Sequence, residues 1–254
     1  MIDFSDEGRG LPIVLIHAFP QDRTLWRPQI EAFSSKYRIV APTLRGFAGS
    51  DPVDGKAVSM DQYADDIVAL MDDRKIAKAV VGGISLGGYV TLSLVLRYPD
   101  RVSGIVLANT RATADNPDWA KFREDLVRDV EARGPVAVVE NYGDKPFRPD
   151  CPEQIKAEIR AMIMKQPATG LASGTRGMAS RPDRVARLHE IKVPALVISG
   201  TKDAYIPSSD GEAMHHAIAG STFVDIEGAG HLSNYDSAPQ FNQALENFLR
   251  KLAP

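Results

Sequence analysis

Val80-Val81-Gly82-Gly83-Ile84-Ser85-Leu86-Gly87-Gly88-Tyr89 joins a short apolar run to a helical one through a Gly-x-Ser-x-Gly pattern. Residues 77–81 read as a strand, and residues 86–97, stopped by Pro99, as an apolar helix. In such a strand-to-helix turn Ser85 occupies a sharp bend that lifts Oγ above the sheet edge. Gly83 and Gly87 keep Cβ atoms out of the crowded approach. The first N–H groups of the helix lack intrahelical partners and face developing negative charge. The five-residue pattern alone also fits a glycine-rich turn that merely packs. The succession of strand, motif and helix is what points to a nucleophile.

Outward from this segment, similar apolar, β-branched runs occur at residues 11–17, 37–41, 102–108, 195–199 and 222–226. Continuous runs without clean alternation are the pattern of strands covered by helices on both faces. Residues 61–73 space Tyr63, Ile67 and Leu70 for one helical face, and Phe241, Leu245, Phe248 and Leu249 line a closing helix. The alternation predicts an α/β fold with a mostly parallel central sheet flanked by helices and ligands at the carboxyl ends of its strands. Between Ala108 and Pro194 helical patterns dominate, at 119–133, 135–142, 152–164 and 169–178. The expected organisation is a core of residues 1–110 and 191–254, with a helical cap of residues 111–190 that walls a pocket against water.

Serine is a weak nucleophile unless a base and an orienting group accompany it. In this elbow type the chain order is Ser, acid, His. Gly200-Thr201-Lys202-Asp203 follows the run 195–199, and Gly228-Ala229-Gly230-His231 follows the run 222–226. Both therefore lie beyond strand ends on the edge that carries Ser85. The reading is Ser85 as nucleophile, His231 as general base and Asp203 as its orienter. A solvent-facing loop histidine and an Asx-turn aspartate are the plainer alternatives. His17-Ala18-Phe19-Pro20 follows the first run, where such folds supply an oxyanion-hole donor. The backbone N–H groups of Phe19 and Leu86 are the candidate donors, with His17 organising the loop. His189, His215 and His216 read as structural. No H-x-x-x-H, C-x-x-C or carboxylate cluster asks for a metal, and no cofactor is expected.

Composition narrows the class. The 254 residues carry 30 Lys and Arg against 33 Asp and Glu, a formal net charge of -3, so nothing pulls the chain toward nucleic acid or anionic lipid. With 44% hydrophobic and 25% charged residues there is material for one large core and no signature of disorder. The acidic opening Met1-Ile2-Asp3-Phe4-Ser5-Asp6-Glu7 is unlike a secretory signal, and no apolar run approaches the roughly 20 residues that span a bilayer. Cys151 alone cannot form an internal disulfide. The expectation is a cytoplasmic monomer or homodimer acting on a small molecule, with no nucleic acid and no membrane as partner.

Taken together, these segments resemble the α/β-hydrolase superfamily over nearly the whole chain. His17-Ala18-Phe19-Pro20 is similar to its His-Gly-x-Pro turn, and Leu44-Arg45-Gly46-Phe47-Ala48-Gly49-Ser50 to its Asp-x-Arg-Gly-x-Gly-x-Ser loop. Residues 82–88 and Leu107-Ala108-Asn109-Thr110 are most similar to 3-oxoadipate enol-lactonases and small carboxylesterases. Ala18, Thr43 and Ala48 depart from the family's glycine, aspartate and glycine. Some relatives carry the triad acid after the strand preceding Asp203, but that position reads Asn109-Thr110, which favours Asp203. Ser85 argues against haloalkane dehalogenases, whose nucleophile is aspartate. The resemblance implies a serine carboxylesterase cleaving short-acyl esters through an acyl-enzyme. A lactonase, a cofactor-free perhydrolase and a silent binding protein remain as alternatives. Trp26, Trp119, Tyr142, Phe147, Met162 and Met164 are candidate pocket walls. Arg111, Arg123 and the other basic residues of the cap read mostly as surface.

Overall fold

In the computed structural model, which describes residues 1–252, seven strands form one sheet in the order β1-β3-β2-β4-β5-β6-β7. The strands are β1 (Phe4–Glu7), β2 (Pro12–Ile16), β3 (Arg38–Pro42), β4 (Ala79–Ile84), β5 (Val102–Ala108), β6 (Ala195–Gly200) and β7 (Thr222–Ile226). Only β1 runs antiparallel, against β3; every other pairing is parallel. All residues of β4 and β6 are buried, as central strands with both faces covered require. β1 is a short, acidic edge strand and does not show in the apolar pattern. Its Asp6 accepts from both Arg38 and Arg74, which ties the edge to its neighbours.

The helices are α1 (Arg27–Phe33), α2 (Met60–Asp73), α3 (Leu86–Arg97), α4 (Pro117–Arg133), α5 (Pro135–Tyr142), α6 (Glu153–Met164), α7 (Ala168–Ala179), α8 (Ser208–Ala217), α9 (Ser233–Asp236) and α10 (Ala238–Leu249). α2 starts on a full capping box: the Ser59 hydroxyl accepts from Gln62 N–H while the Gln62 side chain accepts from Ser59 N–H. α3 is the most buried, from Leu86 through Val95, and packs beneath β4 and β5. α10 buries Phe241, Ala244, Leu245, Phe248 and Leu249 on one face, the stripe its sequence spacing predicts.

The stretch between β5 and β6 holds four helices, α4 to α7, and no strand. α7 docks closely on the loop after β3, with backbone against backbone at two glycines and the Arg176 guanidinium donating to the Gly55 carbonyl at 2.6 Å. A Cβ on Gly170 would stand 1.7 Å from the Gly46 carbonyl oxygen, and one on Gly177 would stand 1.9 Å from that of Val58. Glycine at both positions is therefore a requirement of close approach. Gln166, at the end of α6, adds a polar tie, accepting from Ala48 N–H and donating to Asp22. Among the described residues no helix is long and apolar enough to cross a membrane.

Candidate active site

Four adjacent strands, β4 to β7, each deliver one residue of the site just past their carboxyl ends: Ser85, Asn109, Asp203 and His231. Ser85 has φ 54° and ψ -114°, a conformation that L-residues avoid unless surrounding structure imposes it. The imposition is visible. Ser85 N–H donates to the Ala108 carbonyl, and the Ser85 carbonyl accepts from Gly88 N–H and the Thr110 hydroxyl. The glycines around it leave no room for side chains. A Cβ on Gly83 would lie 2.1 Å from the carbonyl carbon of Gly87, and one on Gly87 would lie 2.1 Å from the Ile16 carbonyl oxygen. The Ser85 hydroxyl does not cap its own helix and is left to other uses.

Asp203 is held by four donors. Its Oδ1 accepts from Tyr205 N–H at 2.9 Å and Ile206 N–H at 3.1 Å; its Oδ2 accepts from His231 Nδ1 at 2.8 Å and the Asn109 amide at 3.0 Å. Burial pushes this carboxyl up, but the His231 charge and hydrogen bond, the Asn109 amide and Tyr205 N–H outweigh it. The net direction is below the usual carboxylate range. An ionised Asp203 fixes the proton of a neutral His231 on Nδ1 and leaves Nε2 as the basic atom. The His231 loop is clamped in turn: His231 N–H donates to the Pro146 carbonyl, and a Cβ on Gly230 would meet Phe147 and Arg148 backbone within 2.6 Å. Tyr205 presents its ring edge-on to the imidazole, 5.3 Å between centroids.

Asn109, which in the sequence marks only the lack of an acid after β5, has a positive role in the structure. It adopts φ 42°, donates to Asp203 Oδ2 and to the Gly230 carbonyl, and accepts from the Ser233 hydroxyl at 2.5 Å. The available signal was an asparagine directly after a strand, a residue type that tolerates positive φ. Its use as a support for the acid depends on which strand lies next door, which the local sequence does not specify.

On the other side, His17 is fully buried. Its Nδ1 bonds the Ala18 carbonyl and its Nε2 accepts from Leu44 N–H at 3.0 Å, so both ring nitrogens are committed. Burial pushes its pKa down to about 4, against the pull of the Ala18 carbonyl. It is a neutral organiser of the loop that carries Phe19, whose peptide to Pro20 is cis. Among the described residues, neither the Phe19 nor the Leu86 N–H has a hydrogen-bond acceptor. Two free donors flanking the serine are what a tetrahedral oxyanion needs.

Ser85, His231 and Phe19 line one cavity, although no hydrogen bond closes between Ser85 and His231. Such bonds are often long before substrate binds. The cavity is small, with a volume of about 50 Å³. It is a narrow slot. Of the six proposed wall residues, Trp119 and Tyr142 line it. Trp26 does not: it is buried in the core against Phe241, and Met164 is half exposed, its neighbour Ile163 taking the wall position. Arg111 and Arg123 also line the slot, and Arg123 is buried, not a surface residue. Among the described residues no group of three or more His, Cys, Asp or Glu is placed to hold a metal ion. Cys151 is buried, and burial and the nearby Asp236 push its thiol up to about 11, away from nucleophilic use.

Comparison with known proteins agrees with this fold. The family model described as alpha/beta hydrolase fold matches residues 12–238. The chain is 29% identical over 244 residues to 3-oxoadipate enol-lactonase 2 of Acinetobacter baylyi, covering 94% of this chain and 88% of that one. Among solved structures, a thermophilic esterase from Thermogutta terrifontis, with malate bound, superposes with TM-score 0.95 at 35% identity, over 100% of this chain and 94% of that one. The enol-lactonase from Burkholderia xenovorans superposes with TM-score 0.90 at 29% identity, over 98% and 96%.

Proposed function

The chain belongs to the alpha/beta-hydrolase fold family, and from that premise we propose that it is a serine hydrolase cleaving small, short-acyl carboxylic esters through an acyl-enzyme. The observation that carries the reading is the arrangement of Ser85 and His231 on one slot, with Asp203 holding His231 Nδ1 at 2.8 Å.

In this reading His231 Nε2 accepts the Ser85 proton as Oγ attacks the ester carbonyl. The Phe19 and Leu86 N–H groups receive the oxyanion, where losing one donor typically costs about 3 to 4 kcal/mol of transition-state stabilisation. The imidazolium then protonates the leaving alcohol, and water activated by His231 releases the acid. Asp203 stays ionised throughout and stabilises the imidazolium. The narrow slot supports short acyl groups over long ones.

A lactonase is the second reading, favoured by the near full-length similarity to the two enol-lactonases. The chemistry is the same, with the leaving hydroxyl tethered to the acyl part. On either reading the partner is a small molecule, and neither nucleic acid nor membrane is required; we keep a cytoplasmic monomer or homodimer as the working form. The test is hydrolysis of p-nitrophenyl esters from acetate to long chains beside a panel of enol- and aliphatic lactones, with Ser85→Ala as control. A short-chain maximum that disappears in Ser85→Ala supports the esterase. Strong preference for one lactone moves the assignment to lactonase, and turnover that survives in Ser85→Ala removes the mechanism.

A further inference from the structure

We propose that Gln21 is a recognition position for a neutral hydroxyl or amide group, so that the substrate cleaved at Ser85 carries such a group within a few bonds of its scissile carbonyl. This rests on the serine-hydrolase reading and deepens it by naming a polar feature of the substrate.

Three glutamines are buried: Gln21, Gln29 and Gln166. Gln29 donates to the Asn234 carbonyl and to Asn242 Oδ1, both at 2.8 Å, and accepts from the Asn234 amide at 3.3 Å. Gln166 accepts from Ala48 N–H at 2.9 Å and donates to Asp22 Oδ2 and the Met162 carbonyl at 3.1 and 2.9 Å. Each uses both ends of its amide. Gln21 is only 2% exposed, yet its side chain makes no hydrogen bond to any described residue, and its Oε1 is buried without a donor. A buried amide left idle is costly, so its retention calls for a partner from outside the chain.

The idle amide belongs to the slot: Gln21 lines the same cavity as Ser85 and His231. Among the described residues that bury an unpartnered polar side-chain atom, only Arg111 shares this wall, and its Nε lies 3.4 Å from an Asp210 carboxylate oxygen that answers its charge. The Gln21 backbone is fixed on both sides. Its N–H donates to the Ala18 carbonyl at 3.0 Å, closing a turn around Phe19 and Pro20, and the next residue, Asp22, accepts from Thr24 N–H at 2.9 Å and from the Gln166 amide at 3.1 Å. The side chain thus stands on the rigid turn that offers Phe19 N–H to the oxyanion. A substrate group that meets Gln21 is therefore only a few bonds from the carbonyl held at Phe19.

A primary amide gives through Nε2 and takes through Oε1, and a half-turn about its last bond exchanges the two. The group that satisfies it in either orientation both gives and takes a hydrogen bond and carries no charge, which describes a hydroxyl or an amide. A carboxylate only accepts and would leave Oε1 idle. A methyl group in the same place would bury the amide against hydrocarbon. A site that holds such a polar group discriminates strongly against the analogue that lacks its match, because the protein group is then left unpaired in the complex.

The test compares hydroxyl with methyl in esters of matched shape: ethyl 3-hydroxybutyrate against ethyl 3-methylbutyrate, and 2-hydroxyethyl butyrate against propyl butyrate. The first pair places the hydroxyl on the acyl side and the second on the leaving alcohol. The readout is the hydroxyl-to-methyl ratio of kcat/KM, compared between proteins so that the esters' own reactivities cancel. We expect one pair to favour the hydroxyl, with its ratio falling about tenfold or more in Gln21→Met and recovering in part in Gln21→Glu, which keeps an oxygen acceptor. A glutamine that only packs changes melting temperature in these variants, or scales both esters of a pair alike, and leaves the ratio alone. Methyl esters preferred in both pairs, or a ratio unmoved in Gln21→Met, overturns the proposal. Calorimetric titration of the same four esters into Ser85→Ala protein, with and without Gln21→Met, separates the two readings. A preference for a hydroxyl ester that disappears on adding Gln21→Met sustains the polar position even if no ester is turned over. Equal binding within both pairs, for a protein that hydrolyses the methyl esters, overturns the polar position and leaves the hydrolase intact, whether or not Gln21→Met folds.

Discussion

The Asn109 side-chain amide donates at 3.0 Å to the same Asp203 oxygen that receives His231 Nδ1 at 2.8 Å. The acid is thus aimed from a neighbouring strand end as well as by its own loop, and Ser233 fixes the amide from behind through Asn109 Oδ1. Asn109→Asp keeps the shape and the tolerance of positive φ but sets a second carboxylate against Asp203. Like charges at that distance raise a carboxyl pKa. We expect kcat to fall about tenfold or more with KM little changed, and the acidic limb of the pH–rate profile to move up by about one unit. An unshifted acidic limb would show that Asn109 only braces the loop.

His17 titrates near pH 6.5 in an unfolded chain and at about 4 in the fold. Between those values the unfolded chain binds more protons than the native one, so stability rises with pH. The contribution of neutral, buried His17 is complete above about pH 6.5 and is lost as pH falls toward 4, to the extent of about 3 kcal/mol. His17→Gln should be less stable at pH 7, yet its disadvantage should shrink as pH is lowered through this window. Urea midpoints of both proteins between pH 4.5 and 7.5 measure the convergence; parallel curves would contradict a buried neutral imidazole.

Trp119 narrows the slot, with its ring 6.0 Å from Tyr205 and 5.4 Å from Phe122. Replacement by alanine opens space where an acyl or alcohol chain ends. In Trp119→Ala the chain-length optimum of p-nitrophenyl esters should shift by two or more carbons, with kcat/KM for longer chains gaining roughly tenfold relative to acetate. An unchanged profile would move the size limit to Ile163 or Ile206, which share the wall.

Much of the fold is written in the sequence because central parallel strands must be apolar on both faces, and β5 spans the very residues its run suggests. β1 escapes for the opposite reason: Phe4-Ser5-Asp6-Glu7 is an edge strand stabilised by arginines from β3 and α2, contacts that lie far off in the chain. Ser85, Asp203 and His231 are legible because each follows a strand and belongs to a chemical set. Arg123 is not, since a charged residue on a helix looks like solvated surface until the packing of α4 against α7 is known. Trp26 misleads in the converse way. A large aromatic is equally at home in a core or a pocket, and only its contact with Phe241 decides.

The backbone contacts at Gly170 and Gly177 restrict how a substrate can arrive. With two carbonyls of the Gly46–Val58 segment pressed where side chains would be, α7 has no cushion on which to rock, and parting it from the core breaks the seam along its whole length. α7 behaves as a fixed wall, not a door. With α7 fixed, admission to Ser85 would fall to rotamer changes of wall side chains such as Trp119 and Tyr142. The slot would then sort molecules by the rate at which aromatic rings turn aside, before any chemistry begins.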